Sequence, residues 1–239
     1  MSVETEKNEK ISRAIAEALG RGQKVFNLEE SRAIMELAGI PFNKCGLATS
    51  AGDAADIADD MGYPVVMKIV SPQVIHKTEV GGVRVNIATG AEVKSTYEDI
   101  VKGVLEQVPH AEINGILIEE MVSGTELIVG TTTDPQFGPM IMFGIGGIFV
   151  EVYKDVSFRL IPISANDARD MMGEIKGKAL LEGIRGLPRA DPDKIVEILE
   201  NVSKLVQSHP EIDEMDINPL LITENGIIAV DARILLGDG

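Results

Sequence analysis

The sequence predicts a mixed α/β (α+β) protein in two parts, and three observations carry that prediction. Over about the first hundred residues, apolar side chains at helical spacing alternate with β-branched runs, the pattern of a compact α/β unit. Further along, short β-branched runs are divided by glycines and by Asp134-Pro135, which suggests antiparallel connections. Near the end, two strand-like runs flank Asn225-Gly226, a strong two-residue hairpin signal.

Each element has a local reason. Ile11, Ala14, Ile15 and Leu19 share one face of a helix over Thr5 to Leu19, which Gly20 ends. A second helix runs from Leu28 to Ala38, with Gly39 just past it and Pro41 beyond. Phe42 to Ala48 reads as a strand, and Ala51 to Met61 as a helix entered through Thr49-Ser50. Val65, Val66, Ile69 and Val70 form a buried strand that Ser71-Pro72 ends, because proline donates nothing to a ladder. Val83 to Ile87 pairs back, Ala91 to Gln107 is helical, and Ile113 to Met121 is a strand. The texture changes near Asn114, so the expected domains are 1–114 and 115–239.

The second domain should hold strands at Glu126–Thr133, Gly138–Ile145, Phe149–Tyr153 and Phe158–Ile163. Helices follow at Ala165–Met171, near Gly177–Leu181, and at Pro192–Gln207, the last capped by Asp191 with Pro192 in its first turn. The closing hairpin joins Met215–Ile222 to Ile227–Leu235.

Composition narrows the class. A chain of 239 residues, 44% hydrophobic, can bury a real core. The longest nearly apolar run, Pro139 to Val150, is too short for a membrane span and is broken by glycines. The amino terminus, MSVETEKNEK, lacks an apolar signal core, so the cytoplasm is the expected location. Cys45 is the only cysteine, which excludes an internal disulfide and any multi-cysteine metal site. A formal charge of −16 argues against nucleic acid. It also means that a polyphosphate would need local cations: a divalent metal and a few placed bases such as Lys68.

The hairpin yields a candidate site. With Asn225 and Gly226 central, Glu224 faces Ile227 and opposed positions sum to 451, so Asn218 faces Arg233 and Leu220 faces Asp231. Opposed residues, and residues two apart, share a face. Asp216, Asn218, Asp231 and Arg233 therefore project from one side, and Ile217, Pro219, Leu221, Val230, Ala232 and Ile234 from the other. Oxygen atoms of Asn218 and Asp231, diagonal neighbours, can converge on one hard cation such as Mg²⁺. The same pattern also describes the solvated face of a half-exposed hairpin.

Elsewhere, Lys68 sits in an otherwise buried strand, where an ammonium needs a carboxylate or a phosphate. Beyond it His76-Lys77-Thr78-Glu79 is too polar for a core, and Gly81-Gly82 permits close backbone approach. Glu119 and Glu126 flank a turn at Ser123-Gly124. Singly these have ordinary readings: a snorkelling lysine, a solvated histidine, two surface glutamates. Gly144, Gly146 and Gly147 do not fit a strand-to-helix phosphate loop, and packing is their simplest cause. His110 and His209 read as solvated.

Taken together, the stretch from His76 to Val83 resembles a loop of the β subunits of ADP-forming acyl-CoA synthetases, in the ATP-grasp superfamily, and the resemblance extends over roughly residues 20–236. Asp216-x-Asn218-Pro219 followed by Asp231-x-Arg233 is similar to the metal hairpin of the succinyl-CoA synthetase branch. The resemblance implies an ATP-grasp fold of two α/β subdomains with the nucleotide bound between them. It implies Asn218 and Asp231 as Mg²⁺ ligands assisted by Asp216, and Lys68 on the phosphates of ATP or ADP. Glu119 and the backbone of Met121-Val122 would read the adenine, and Glu126 the ribose. His76 would carry a phosphoryl group during the conversion of acyl-CoA, ADP and phosphate to acid, CoA and ATP, with acetyl-CoA the expected acyl-CoA.

In relatives the segment containing Glu151, Asp155 and Arg159 lies by the active site, with roles that the resemblance leaves unassigned. No CoA-binding or acid-binding segment is evident, so a separate α subunit should supply both, in an α2β2 assembly; a fragment of a fused enzyme would look similar. Two other readings stay open: an ATP-grasp carboxylate–amine ligase, and an ATP-binding regulatory subunit without phosphoryl relay.

Overall fold

The computed structural model describes residues 3–74, 77–147, 150, 152–184 and 186–237. The chain forms two compact units, one made of residues 1–42 with 123–239 and the other of residues 43–122.

The smaller unit is a four-stranded antiparallel sheet in the order β1 (Cys45–Ala48), β4 (Gly115–Glu120), β2 (Val65–Val70), β3 (Val83–Ile87). Two helices, α3 (Ala51–Met61) and α4 (Gly90–Gln107), complete it. Ser50 caps α3 by accepting from the Asp53 N–H, and Thr89 caps α4 by accepting from that of Glu92. Alternation along β2 sends Val65, Met67 and Ile69 into the core with Ile116 and Ile118, against Ala54 and Ala58 of α3 and Ile100 and Val104 of α4. Val66 and Lys68 point the other way. An expected boundary at Asn114 falls inside this unit, because β4 is paired with β1 on one side and β2 on the other.

The larger unit is a six-stranded antiparallel sheet. Its order is β10 (Ala232–Leu236), β8 (Ile212–Thr223), β5 (Thr125–Asp134), β6 (Gly138–Ile145), β7 (Val156–Leu160), with β9 (Gly226–Ala229) also paired to β8. Its helices are α1 (Val3–Gly20), α2 (Leu28–Leu37), α5 (Ala165–Glu174) and α6 (Pro192–Ser208), with a 3₁₀ turn at Lys176–Glu182. The amino-terminal residues belong here because Ile11, Ile15, Ile34 and Met35 bury the apolar faces of α1 and α2 in the same core as Val129, Phe143, Ile217 and Ile234. Each such side chain contributes about 1.5–3 kcal/mol on burial. Bridges between Val25 and Leu235 and between Phe42 and Ala229 tie the segment down. Asp191 caps α6 through the Asp193 N–H, with Pro192 in the first turn, as the sequence predicts.

Four expectations differ in detail. The hairpin turn is centred on Glu224-Asn225, since Thr223 pairs with Gly226 and opposed positions sum to 449. A type I′ turn needs positive φ at both central residues, which neither has; Gly226, φ +133, takes the position after them. The strand expected at Phe158–Ile163 is Val156–Leu160. Of the strand expected at Phe149–Tyr153, Val152 and Tyr153 instead form an exposed turn, and Phe149 and Glu151 lie outside the described residues. His209 is not solvated: it ends α6 with 4% exposure, and its Nε2 has no hydrogen-bond partner among the described residues. Among those residues no helix is long and apolar enough to cross a membrane.

Burial pushes the His209 imidazole below its ordinary pKa, and the Glu211 carboxylate opposes this more weakly. The fold therefore favours the neutral ring, and the unfolded chain binds the extra proton. Stability is complete above about pH 6.5, the unfolded value, and falls as pH drops below it. His209→Phe is expected to flatten that fall in a series of thermal unfolding curves between pH 8 and 5.

Candidate functional site

In the smaller unit the register brings two predicted site residues together. Lys68 pairs with Leu117 and Val66 with Glu119, so Lys68 and Glu119 are diagonal neighbours on the face away from the helices. Lys68 Nζ lies 2.6 Å from Glu119 Oε2, with the two side chains 17% and 2% exposed. The partly buried ammonium thus meets a carboxylate. Glu119 Oε1, equally buried, has no hydrogen-bond partner among the described residues, which leaves an acceptor suited to an amine donor. Met121 and Val122 follow β4 and end the unit, the Met121 N–H donating to Pro64 O at 3.3 Å.

The larger unit gathers four more on one sheet face. On β8 and β10 the offset from the predicted register is two residues, so side-chain parity survives at Asp216, Asn218, Asp231 and Arg233; beyond Pro219 it reverses, and Leu220 and Ile222 enter the core where Leu221 and Val230 were expected. Asp216 faces Arg233 directly, and the Asn218 N–H donates to Asp231 O at 3.2 Å, which makes these residues opposed neighbours. Asn218, Asp231 and Arg233 are exposed and Asp216 is half-buried, while Ile217, Ala232 and Ile234 enter the core. Asp216 also pairs with Gly130 of β5, whose residues two and four back on that face are Ile128 and Glu126. Glu126, Asp216, Asn218 and Asp231 therefore share one surface.

Electrostatics on that surface are acidic. Burial, then the carboxylates of Asp231 and Glu214, push the Asp216 pKa up, and Arg233 draws it partly back. A groove of about 310 Å³ runs beside Asp216, walled by Met140, Met142 and Phe158 opposite Glu214 and Arg233. Asn218 and Asp231 offer one amide and one carboxylate oxygen set, hard donors of the kind Mg²⁺ takes alongside phosphate and water. Among the described residues no three His, Cys, Asp or Glu side chains form a self-sufficient metal cluster.

The glycine-rich stretch has a structural cause in Glu126. The Gly146 N–H donates to Glu126 O at 2.7 Å. A Cβ on Gly146 would stand 2.9 Å from the Glu126 Cβ, and one on Gly147, φ +60, would stand 3.1 Å from Glu126 Oε2. These glycines leave the Glu126 carboxylate its position, a link that packing in general could not specify from sequence. Asp155 and Arg159 are anchors of a different sort. The buried Asp155 carboxylate accepts from the N–H groups of Lys176 and Gly177, both at 2.7 Å, and pins the 3₁₀ turn. Arg159 grips Glu174 at the end of α5 with two hydrogen bonds, and Ser157 adds a third. Arg159, then Ser157, hold the Glu174 pKa down to about 2. His76 lies outside the described residues.

Removing one member of a buried ion pair leaves the other uncompensated, at about 3–5 kcal/mol. Lys68→Met is therefore expected to destabilise the protein by that order in urea unfolding, and Lys68→Met with Glu119→Gln to recover much of the loss.

A family model for the ATP-grasp domain matches residues 17–236. The chain is 44% identical to the β subunit of acetate–CoA ligase [ADP-forming] II of Pyrococcus furiosus, over 93% of this chain and 96% of that one. It is 46% identical along its whole length to acetate–CoA ligase [ADP-forming] I of Archaeoglobus fulgidus, of which it spans about a third (34%). A solved dinucleotide-forming acetyl-coenzyme A synthetase 1 of Ca. Korarchaeum cryptofilum superimposes with a TM-score of 0.83 at 38% identity, covering 95% of this chain and all of that one. That structure is described as holding coenzyme A and Mg-AMPPCP, with a phosphohistidine segment pointing towards the nucleotide binding site. The chain belongs to the ATP-grasp family, among relatives of the β subunits of ADP-forming acetate–CoA ligases.

Proposed function

We propose that this chain is the nucleotide-handling component of an ADP-forming acyl-CoA synthetase, with acetyl-CoA as the acyl-CoA. The overall reaction takes acyl-CoA, ADP and phosphate to acid, CoA and ATP. The observation that carries the reading is the shared sheet face of Glu126, Asp216, Asn218 and Asp231 in a chain that matches a β subunit nearly end to end. A partner α chain would supply the CoA and acid sites, in an α2β2 assembly, and the complex would work in the cytoplasm.

In this reading Asn218 and Asp231 hold Mg²⁺ on the nucleotide phosphates, where the ion supplies positive charge to the transferring group when bound. Lys68 meets the phosphates and Glu119, tethered to it, presents its free oxygen to the adenine amino group. The backbone at Met121-Val122 borders the base edge, and Glu126 accepts from the ribose hydroxyls. His76 relays the phosphoryl group. When phosphohistidine meets ADP, the N–P bond breaks, a terminal oxygen of ADP forms the new P–O bond, and the imidazole leaves neutral. Asp216, on the same face as the two metal ligands, assists them. Catalysis then consists chiefly of placing charge and excluding misalignment.

The test is covalent labelling of the complex purified from its source cell. With [γ-³²P]ATP, the chain is expected to take up label that acid removes and base does not, and His76→Ala is expected to abolish both label and ATP synthesis, by about a thousandfold or more. Nucleotide binding with no label in the assembled complex, and full function of the His76→Ala variant, would replace this reading with a nucleotide-sensing subunit.

A further inference from the structure

Arg233 is the one basic side chain on the wall of the groove beside Asp216, and nothing in the reaction as described uses it. Apart from Arg13, exposed on α1, the other described arginines are engaged, among them Arg84 with backbone carbonyls, Arg159 with Glu174, Arg169 with Asp193 and Arg189 with Glu182. Arg233, by contrast, makes no hydrogen bond or ion pair among the described residues, although Asp216 stands directly across the ladder and Glu214 lines the same groove. A guanidinium left open among carboxylates, in a chain of net charge −16, is placed for an anion that comes and goes. A permanent partner would have closed the fork.

Its position defines which anion. Asn218/Asp231 and Asp216/Arg233 are successive opposed pairs on one face, and two residues along a strand advance roughly 7 Å. A cation held at the first pair would touch the bridging end of a polyphosphate, and the second pair would border the outermost phosphoryl group. Room exists because β5 carries Gly130 opposite Asp216; a Cβ there would stand 3.3 Å from Met142 Cε and 3.7 Å from Asp216 Oδ1. The planar fork of Arg233 offers two parallel N–H donors to the oxygens of a tetrahedral anion. We propose that Arg233 is a binding residue for the phosphoryl group in transit, holding its outer oxygens while the bond to the nucleotide forms or breaks. The proposal rests on the phosphoryl-transfer reading above.

The test compares wild type, Arg233→Gln and Arg233→Lys in the purified complex, by calorimetry with Mg-ADP and with Mg-ADP plus beryllium fluoride, a mimic of the outermost phosphoryl group. Arg233→Gln is expected to bind Mg-ADP within about twofold of wild type and the beryllofluoride complex at least tenfold more weakly, one charged hydrogen-bond pair being of that order. Lysine should restore part of the loss. Transfer of label from [γ-³²P]ATP should slow about a hundredfold or more, and guanidinium chloride added to Arg233→Ala should recover part of the rate, which a side chain that merely screens Asp216 would not require. Equal beryllofluoride affinity in wild type and Arg233→Gln overturns the proposal. Should wild type bind the mimic through Arg233 yet never take up label, the relay through His76 fails and the phosphoryl subsite stands.

Discussion

The arrangement depends on the register of one strand. β8 pairs with β5 on one side and with both β9 and β10 on the other, and it carries Asp216 and Asn218 on the face opposite Ile217. A slip of one residue would send both polar groups into the core and Ile217 to solvent. The apolar side chains of α1, α2, α5 and α6 therefore hold the polar face in place from behind: burying Ile217 and Ile234 is what orients Asp216, Asn218, Asp231 and Arg233 in front. Core packing and site geometry are two sides of one ladder.

That surface works against stability. Asp216 is half-buried among Asp231 and Glu214, and its raised pKa records how unfavourable the ionised form is there. Glu119 is almost wholly buried with one oxygen unpaired. Fold stability alone would favour neutral or apolar residues at both places. Polar groups kept where they are costly are candidates for contact with something outside the chain, and the proposed function gives each a counterpart: an amine for Glu119, a metal and phosphoryl group beside Asp216.

Much of this was legible from residue order because it is local. Period-2 alternation placed Asp216, Asn218, Asp231 and Arg233 on one face, and a turn misplaced by one residue moved the register by two, which left the parity intact. The need of Lys68 for an anion followed from its apolar neighbours, although only the register of β2 against β4 reveals that Glu119 meets it. What was not legible is non-local. Residues 1–42 join the larger unit through contacts more than a hundred residues away in sequence, so the change of texture near Asn114 marked no boundary. His209 looked solvated beside Pro210, yet the end of α6 buries it. Asp155 and Arg159 had no assignable role in the sequence, and their partners, the 3₁₀ turn and Glu174, lie too far along the chain to be read from spacing. Gly146 and Gly147 gave a signal without an address until Glu126 appeared beside them.

In the proposed function the exposed face of β8 and β10 holds the divalent cation on a nucleotide. This is tested most directly by calorimetric titration of the protein with ADP, with and without Mg²⁺, for wild type and for the paired variant Asn218→Ala, Asp231→Asn. Since both residues are exposed, the fold should persist. Mg²⁺ is expected to strengthen ADP binding at least tenfold in wild type and to have no such effect in the variant. A variant that retains the full Mg²⁺ enhancement would place the metal elsewhere and rule this face out as its site.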